Sequence, residues 1–136
     1  MIPFVIGAIM LYKAANGQGV PETKTLVPAS QTVEQYVRKY YADAPVLADI
    51  ARCESEFRQF DEKGVVLRGN VVQEDMGIMQ INSTFHESTS KSLGYDIRTL
   101  DGNLAYAKYL YGKEGTKPWS SSQKCWQKLQ PLAVKN

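Results

Sequence analysis

The sequence predicts an α+β fold that is predominantly helical and carries one small β-hairpin. Its 136 residues, 43% hydrophobic and 22% charged, suit one domain with a single core. Apolar residues recur at intervals of three and four in several stretches, which is the pattern of amphipathic helices. One stretch between them has turn residues followed by a β-branched run, which is the pattern of a hairpin.

The first two predicted helices span residues 32–41 and 45–57. Ser30 or Thr32 can cap the first helix through its hydroxyl group. Asp43 is the expected N-cap of the second helix, whose first turn tolerates a proline. Apolar positions lie three or four residues apart in both helices, so each is expected to bury one face.

Three more helices are predicted in the second half of the chain. They span residues 83–93, residues 102–111 and a short stretch around Cys125 and Trp126. Gly94 is the expected left-handed stop of the first of these helices. Thr99 or Asp101 can cap the second, which is expected to end near Gly112.

The hairpin is predicted over residues 58–70. Its turn is the run Asp61-Glu62-Lys63-Gly64, and the β-branched run Val65-Val66-Leu67 follows. These residues lie between the second and third predicted helices, so the hairpin is expected to pack beside a helical body.

The predicted domain covers residues 30–130, and three segments lie outside it. Residues 2–12 are eleven residues without a charge, whereas about twenty are needed to span a bilayer. We therefore assign residues 1–12 as an apolar signal or anchor, residues 13–29 as a linker and residues 131–136 as a tail. This assignment predicts an extracellular or cell-envelope location, with possible membrane attachment through residues 2–12. The alternative is an N-terminal segment packed on the domain.

Two cysteines, Cys53 and Cys125, constrain the redox environment. An even count in an exported chain favours one disulfide, which would close a loop of about seventy residues. The alternative is two free buried thiols that behave as small hydrophobic groups.

Composition and motifs exclude several classes of function. A net charge of +2 without a dense Lys/Arg stripe argues against nucleic-acid binding. The single histidine, His86, has no Cys or Asp partner at ligand spacing, so we predict a surface or packing role and no metal site. No phosphate-binding or dinucleotide-binding motif is present, and we predict no cofactor.

Glu54 is the strongest candidate for a catalytic residue. It lies four residues after Ile50 and seven after Leu47, on the edge of the buried face of the second helix. A carboxyl group half-buried against aliphatic neighbours has a raised pKa, which a general acid requires. Glu56, two residues later, points elsewhere and is expected to be a solvated charge.

The run Gly77-Ile78-Met79-Gln80-Ile81-Asn82 is a candidate binding surface. Gly77 allows close approach of a backbone or a ligand, and the amides of Gln80 and Asn82 can pair with sugar hydroxyls and N-acetyl groups. The alternative is a buried strand with two satisfied amides. Tyr106 or Tyr109 can also present a ring face or a hydroxyl to a sugar, although such tyrosines are more often core residues.

Taken together, these motifs resemble the lytic transglycosylase (SLT) domain of the lysozyme-like superfamily. The resemblance covers residues 45–126 and rests on Glu54-Ser55-x-Phe57, on Gly77-Ile78-Met79-Gln80-Ile81-Asn82 and on a helix opened by Asn103-Leu104. Cys53 before Glu54, with its late partner Cys125, is also similar to resuscitation-promoting-factor domains, which have a disulfide in this region.

The resemblance implies a lysozyme-like fold with a small β-hairpin lobe beside a helical lobe. The cleft between the lobes would bind the glycan strand of peptidoglycan, and the chain is expected to be a monomer. The catalytic Glu of the family maps onto Glu54. Residues expected to bind the substrate are Ser55, Met79, Gln80, Asn82, Asn103, Tyr106 and Trp119.

The chain departs from the family near its C-terminus. Many SLT domains end in an A-Y-N-A-G segment whose tyrosine contributes to the site. The corresponding stretch here is Lys117-Pro118-Trp119-Ser120-Ser121, and Trp119 is the candidate to fill that space.

The expected reaction is cleavage of the β-1,4 bond between N-acetylmuramic acid and N-acetylglucosamine. A transglycosylase needs only one carboxylate and leaves 1,6-anhydro ends, whereas a hydrolytic lysozyme uses a second acid. The candidates for a second acid are Glu62, Glu74 and Asp75; Asp75 is the open rival, although Glu74 and Asp75 are both expected to be exposed turn charges. The remaining alternatives are a non-catalytic wall-binding module and a wall-opening subunit of a secretion or conjugation machine.

Overall fold

The computed structural model describes Val27 and residues 30–131. Within them, five α-helices and a two-stranded antiparallel sheet form a mostly helical α+β fold, which confirms the predicted fold class. In chain order the elements are α1 (Val33–Tyr40), α2 (Pro45–Ser55), β1 (Asp75–Met76), β2 (Ile81–Asn82), α3 (Ser83–Ser92), α4 (Leu100–Glu114), a 3₁₀ helix (Lys117–Ser122) and α5 (Gln123–Leu129). The predicted signal or anchor (1–12), linker (13–29) and tail (131–136) lie outside the described residues, apart from Val27 and Pro131.

Helix α1 begins at Thr32, one of the two predicted caps. The Thr32 hydroxyl accepts a hydrogen bond from the Gln35 N–H (3.1 Å), and the Gln35 side chain accepts one from the Thr32 N–H (3.0 Å). This reciprocal capping box pairs two backbone donors that the helix itself leaves unpaired. Val37, on the inner face of α1, is fully buried.

Helix α2 begins at Pro45 as predicted but differs from its prediction in the N-cap and in the C-terminal end. Its N-cap is Ala44, without a side-chain cap, because Asp43 instead accepts a hydrogen bond from Lys108 Nζ at 2.9 Å. It ends at Ser55, two residues early, because Glu56 and Phe57 have φ angles of 53° and 60°, which lie outside the helical region. Glu54 therefore lies in the last turn of α2.

Two of the predictions for the second half of the chain are confirmed. Gly94, the predicted stop of α3, follows that helix with a φ of +83°. The cap of α3 is Asn82, whose side-chain oxygen accepts a hydrogen bond from the Phe85 N–H (3.3 Å) and which was predicted only as a binding residue. The Thr99 hydroxyl caps α4 by accepting a hydrogen bond from the Gly102 N–H (3.0 Å).

The predicted end of helix α4 at Gly112 is wrong. The helix continues to Glu114 and stops at Gly115, which has a φ of +61°. Gly112 sits on the exposed side of the helix, where a glycine costs only about 1 kcal/mol relative to alanine. That cost is too small to end a helix whose other residues are well packed.

The predicted hairpin at residues 58–70 forms only one antiparallel bridge, between Phe60 and Val66. The Asp61 carboxylate folds the turn by accepting hydrogen bonds from the N–H groups of Lys63 (2.8 Å) and Val65 (3.0 Å). The paired strands lie later in the chain, as β1 and β2, joined by the turn of residues 77–80. A small hairpin is therefore present, but the apolar run Val65–Leu67 does not form it.

One hydrophobic core joins the helices to this hairpin. Its largest fully buried side chains include Tyr41, Leu47, Ile50, Ile78, Met79, Leu104 and Tyr106. The Tyr41 hydroxyl donates to the Leu104 carbonyl at 2.7 Å and so pairs its polar end inside the core. The core holds α2, α4 and the turn of residues 77–80 in fixed relative positions.

A disulfide joins Cys53 to Cys125, as predicted, across 72 residues of sequence. It connects the last turn of α2 to α5, and α2 packs directly on α5 and on the 3₁₀ helix before it. We call residues 117–129 the C-terminal clasp, because they are held against α2 beside Glu54.

Candidate active site

A cleft of about 310 Å³ opens between the end of α2, the β1–β2 hairpin and the C-terminal clasp. Its lining residues are Glu54, Asp75, Gln80, Ile81, Asn82, Phe85, His86, Leu110, Glu114, Pro118, Trp119 and Ser121. The cleft therefore brings together five of the residues singled out from the sequence: Glu54, Asp75, Gln80, Asn82 and Trp119. Its volume lies at the lower end of the range for small-ligand pockets.

Glu54 is a half-buried carboxyl group that lines the cleft. Burial raises its pKa, because the charged form loses hydration. The Ser122 hydroxyl donates to Oε1 at 2.6 Å and lowers the pKa, and the nearby Asp75 carboxylate raises it. The net effect is a raised pKa, so Glu54 keeps its proton to higher pH than a solvated glutamate does.

Asp75 is a second carboxyl group in the same cleft. It lies opposite Asn82 in the β1–β2 register, and Asn82 Nδ2 donates to its Oδ1 at 3.1 Å. Burial raises the pKa of Asp75, its hydrogen bond from Asn82 lowers it, and Glu74 raises it. The expectation of an exposed turn charge holds for Glu74 but is wrong for Asp75, which is half-buried; Glu62 is also exposed and does not line the cleft.

The turn of residues 77–80 brings Gln80 into the cleft, and its backbone is held by an extensive set of hydrogen bonds. Its four N–H groups donate, in order, to Leu67 O (2.8 Å), Gln59 Oε1 (2.9 Å), Asn103 Oδ1 (3.0 Å) and Gly77 O (3.1 Å). The Ile78 carbonyl accepts from Ser55 Oγ (2.7 Å) and the Met79 carbonyl from Trp119 Nε1 (2.9 Å). Four side chains from distant parts of the chain thus hold one turn.

Gly77 can be only glycine in this arrangement. Its φ is +71°, and a Cβ there would lie 2.5 Å from Asn103 Nδ2 and 2.6 Å from Gln59 Oε1. A side chain would therefore collide with the two amides that hold the turn.

Four residues expected to bind the substrate do not line the cleft. Ser55 and Asn103 are buried, and their polar atoms pair with backbone groups of the protein. The side chain of Met79 is fully buried, and Tyr106 is 1% exposed. We correct their assignment, because their burial leaves no surface for a sugar to contact. All four are structural residues of the domain and not binding residues.

Gln80 lines the cleft on a backbone of unusual conformation. Its φ is 49°, and its side-chain Nε2 donates to the Gly77 carbonyl at 2.9 Å. Among the described residues, the other non-glycine residues with positive φ are Glu56 and Phe57, directly after the helix that carries Glu54. Backbone in this region is strained for residues other than glycine, and such strain concentrates at functional sites.

Trp119 lines the cleft and is hydrogen-bonded to the turn of residues 77–80. Its side chain is buried, and its Nε1 donates to the Met79 carbonyl, so the indole is fixed on the hairpin. Trp126 Nε1 in turn donates to the Trp119 carbonyl at 3.1 Å. The Trp126 bond lies within the C-terminal clasp, and the clasp is tied to the rest of the domain by the Trp119 indole bond and by the disulfide.

His86 also faces the cleft, from the first turns of α3. Its Nδ1 lies 3.0 Å from the Tyr106 hydroxyl, and burial lowers its pKa while Glu114 raises it. The expectation of a surface or packing role is therefore incomplete, because the ring both packs on Tyr106 and lines the cleft.

Several lining residues were not singled out from the sequence. Phe85 is the clearest, because its ring is 77% exposed at the edge of the cleft. Its position could have been inferred from Asn82: the residue that caps α3 lines the cleft, so the first turn of that helix must lie at its edge. No comparable indication in the sequence pointed to Glu114 and Ser121, because their positions at the cleft depend on how α4 and the clasp pack.

Among the described residues, no group of three His, Cys, Asp or Glu side chains is arranged to hold a metal ion. None of the helices in residues 30–131 has the length and apolar character that crossing a membrane requires. Comparison of the chain with protein-family models, with curated proteins and with solved structures finds no match in any of the three.

Proposed function

We propose that this domain has a lysozyme-like fold and cleaves peptidoglycan as a lytic transglycosylase at the bond between N-acetylmuramic acid and N-acetylglucosamine. The observation that carries the proposal is the half-buried Glu54 carboxyl group lining a cleft, where burial raises its pKa above that of a solvated glutamate. The resemblance of the Glu54-Ser55 and Gly77–Asn82 motifs to SLT domains supports the choice of substrate.

The chemistry of the cleft suits a glycan. The amides of Gln80 and Asn82 each make hydrogen bonds within the protein, and their remaining donor and acceptor positions match the hydroxyl and N-acetyl groups of a sugar. The exposed ring of Phe85 offers an apolar face at the edge of the cleft. Polar groups in the cleft would bind the sugar edges, and the aromatic face would cover the apolar face of a ring.

In the proposed reaction Glu54 acts twice. As an acid, it gives its proton to the glycosidic oxygen while the bond from that oxygen to C1 breaks toward an oxocarbenium-like state. As a carboxylate, it then takes the proton of the C6 hydroxyl of the sugar that carries C1, and the C6 oxygen bonds to C1. The product is a 1,6-anhydro end, Glu54 is again protonated, and no water is consumed.

Hydrolysis of the same bond is the second candidate, and the position of Asp75 favours it. Asp75 lines the cleft with Glu54 and is held there by Asn82. In a two-carboxylate glycosidase such a residue attacks C1 or activates water. Asp75 was the open rival to a single carboxylate, and the expectation of an exposed turn charge counted against it; its half-burial removes that objection.

Product analysis separates the two candidates. Purified peptidoglycan is digested with the wild type and with Asp75→Asn, which keeps an oxygen to accept the Asn82 hydrogen bond, and the fragments are weighed by mass spectrometry. A transglycosylase leaves anhydro ends, and Asp75→Asn remains active. Reducing ends, lost in Asp75→Asn, would replace the transglycosylase proposal with the hydrolase.

As a transglycosylase or a hydrolase, the protein would act on glycan strands in the cell envelope, and we propose that it works there as an exported or anchored monomer. The Cys53–Cys125 disulfide supports this location, because disulfides persist in oxidising compartments.

A further inference from the structure

Ser122 makes a contact that its place in the fold does not require. It is the residue before α5, yet its side chain makes no capping hydrogen bond to that helix. A serine at an N-cap position normally accepts from a backbone N–H two or three residues later. Here the hydroxyl lies 2.6 Å from Glu54 Oε1, a residue 68 positions earlier in the chain.

The geometry of this contact makes the serine a donor and the glutamate an acceptor. A serine hydroxyl has one proton, and the two acceptors near it are Glu54 Oε1 (2.6 Å) and the Trp119 carbonyl (3.2 Å). Of the two distances, the one to Glu54 Oε1 is the shorter and falls in the usual range of O–H···O hydrogen bonds. The proton of Ser122 is therefore directed to Glu54.

The second oxygen of Glu54 has a different environment. Within residues 30–131, no hydrogen bond is made to Oε2. No side-chain oxygen of the described residues is both buried and unpaired, so Oε2 is reached by solvent. Of the two oxygens, Oε2 is the one that a bound glycan can approach.

We propose that Ser122 is a positioning residue for Glu54: its hydroxyl occupies Oε1, so that the proton used in catalysis is carried on Oε2. This inference rests on the proposed role of Glu54 as the general acid. Oε1 is then held by the protein, and Oε2 faces the substrate. The C-terminal clasp thereby has a direct part in the site, through a residue that the disulfide keeps beside α2.

The Ser122–Glu54 hydrogen bond changes the pKa of Glu54 in a direction that can be measured. A donor to the ionised carboxylate stabilises the charged form, so Ser122 lowers the pKa of Glu54 against the raising effects of burial and of Asp75. The other charged or titratable groups nearby are His86 of α3 and Glu114 of α4 in the cleft, with the exposed Lys117 and Lys124 on the clasp. Without the hydroxyl, Glu54 would keep its proton to higher pH.

The test compares Ser122→Ala, Ser122→Thr and the control Ser120→Ala, a neighbouring exposed serine that does not line the cleft. The pKa of Glu54 is measured by carbon NMR of the carboxyl group, and wall cleavage is followed against pH. Ser122→Ala should raise the pKa, move the loss of activity at high pH upward and lower the plateau rate about tenfold. Ser122→Thr keeps the hydroxyl and should restore the pKa, the pH at which activity is lost and the plateau rate. Ser120→Ala should match the wild type.

An unchanged Glu54 pKa in folded Ser122→Ala, or equal pKa values in the Ala and Thr variants, would overturn the inference. If Ser122→Ala does not fold, Ser122→Gly gives the same comparison, because it also removes the hydroxyl and adds no group that titrates or reacts with the disulfide. The NMR titration needs no turnover, so it decides the role of Ser122 separately from the proposed function. If the wild type cleaves no glycan, the proposed function fails while the titration still reports on the contact.

Discussion

At the scale of single residues, the site consists of two carboxyl groups whose surroundings differ. Glu54 accepts one hydrogen bond, from a hydroxyl of the clasp, whereas Asp75 accepts one from an amide in the opposite strand. Burial is the largest cause of the raised pKa in both, and Asp75 adds to the effect on Glu54. Removing the charge of Asp75 must therefore make Glu54 more acidic.

This coupling predicts the pH dependence of Asp75→Asn. A general acid works while protonated, so activity is present below the pKa of Glu54 and is lost as pH rises through it. Asp75→Asn should lower that pKa and move the loss of activity to lower pH, opposite to the change expected for Ser122→Ala. The pKa of Glu54 measured by NMR checks the sign even if the variant is inactive. A rise in that pKa would contradict the described electrostatics.

At the scale of elements, the turn of residues 77–80 connects the two strands and places Gln80 in the cleft. Two buried amides, Gln59 and Asn103, donate and accept so that each pairs with the turn and with backbone carbonyls around Ile97. Buried polar groups are stable only when paired. Any change that displaces the turn would therefore leave several buried groups without partners.

Gly77→Ala tests this dependence. The added Cβ would collide with both amides and would impose a positive φ on alanine, so we expect a loss of about 2–4 kcal/mol in the free energy of unfolding. Urea denaturation followed by circular dichroism measures the change. The matched control is Gly112→Ala in α4, where a Cβ meets nothing within 4 Å and where we expect a gain of about 0.5–1 kcal/mol. Equal effects at the two glycines would contradict the account.

The elements also show which features the sequence could and could not predict. Glu54 was found because its distance from Ile50 and Leu47 defines the edge of a helix face. Thr32 was predicted as a helix cap from its hydroxyl group and its position before the apolar pattern, and it caps α1. The ends of α2 and α4 were predicted wrongly, because the left-handed conformation of Glu56 and the tolerance of Gly112 both depend on tertiary packing.

Residues whose hydrogen-bond partners lie far away in the sequence could not be identified from a sequence pattern. Gln59 joins the turn to the carbonyls of Ile97 and Arg98, and Ser122 joins the clasp to Glu54. Each is an ordinary polar residue by type, and only the folded chain brings it to its partner. For the same reason Asn103 was predicted from the resemblance as a binding residue, although its buried amide serves the turn.

At the scale of the whole molecule, the C-terminal clasp closes the cleft that the helical body and the hairpin begin. Three connections hold it in place: the Cys53–Cys125 disulfide, the indole hydrogen bond of Trp119 and the hydroxyl contact of Ser122. Closing a loop of 72 residues corresponds to about 4 kcal/mol in the chain-entropy model. The cross-link lies one residue from Glu54, so stability and the position of the proposed acid are linked.

The central claim is that the Glu54 carboxyl group cleaves a glycan. Its most direct measurement is the release of soluble fragments from purified peptidoglycan by the wild type, by Glu54→Gln and by Glu56→Gln. Glutamine keeps the shape and an acceptor for Ser122 but has no acidic proton, so Glu54→Gln should lose a factor of about 10²–10⁴ in rate while still binding the wall. Glu56→Gln makes the same change at an exposed position two residues later and should match the wild type. No release by the wild type, or equal release by the two variants, would contradict the account.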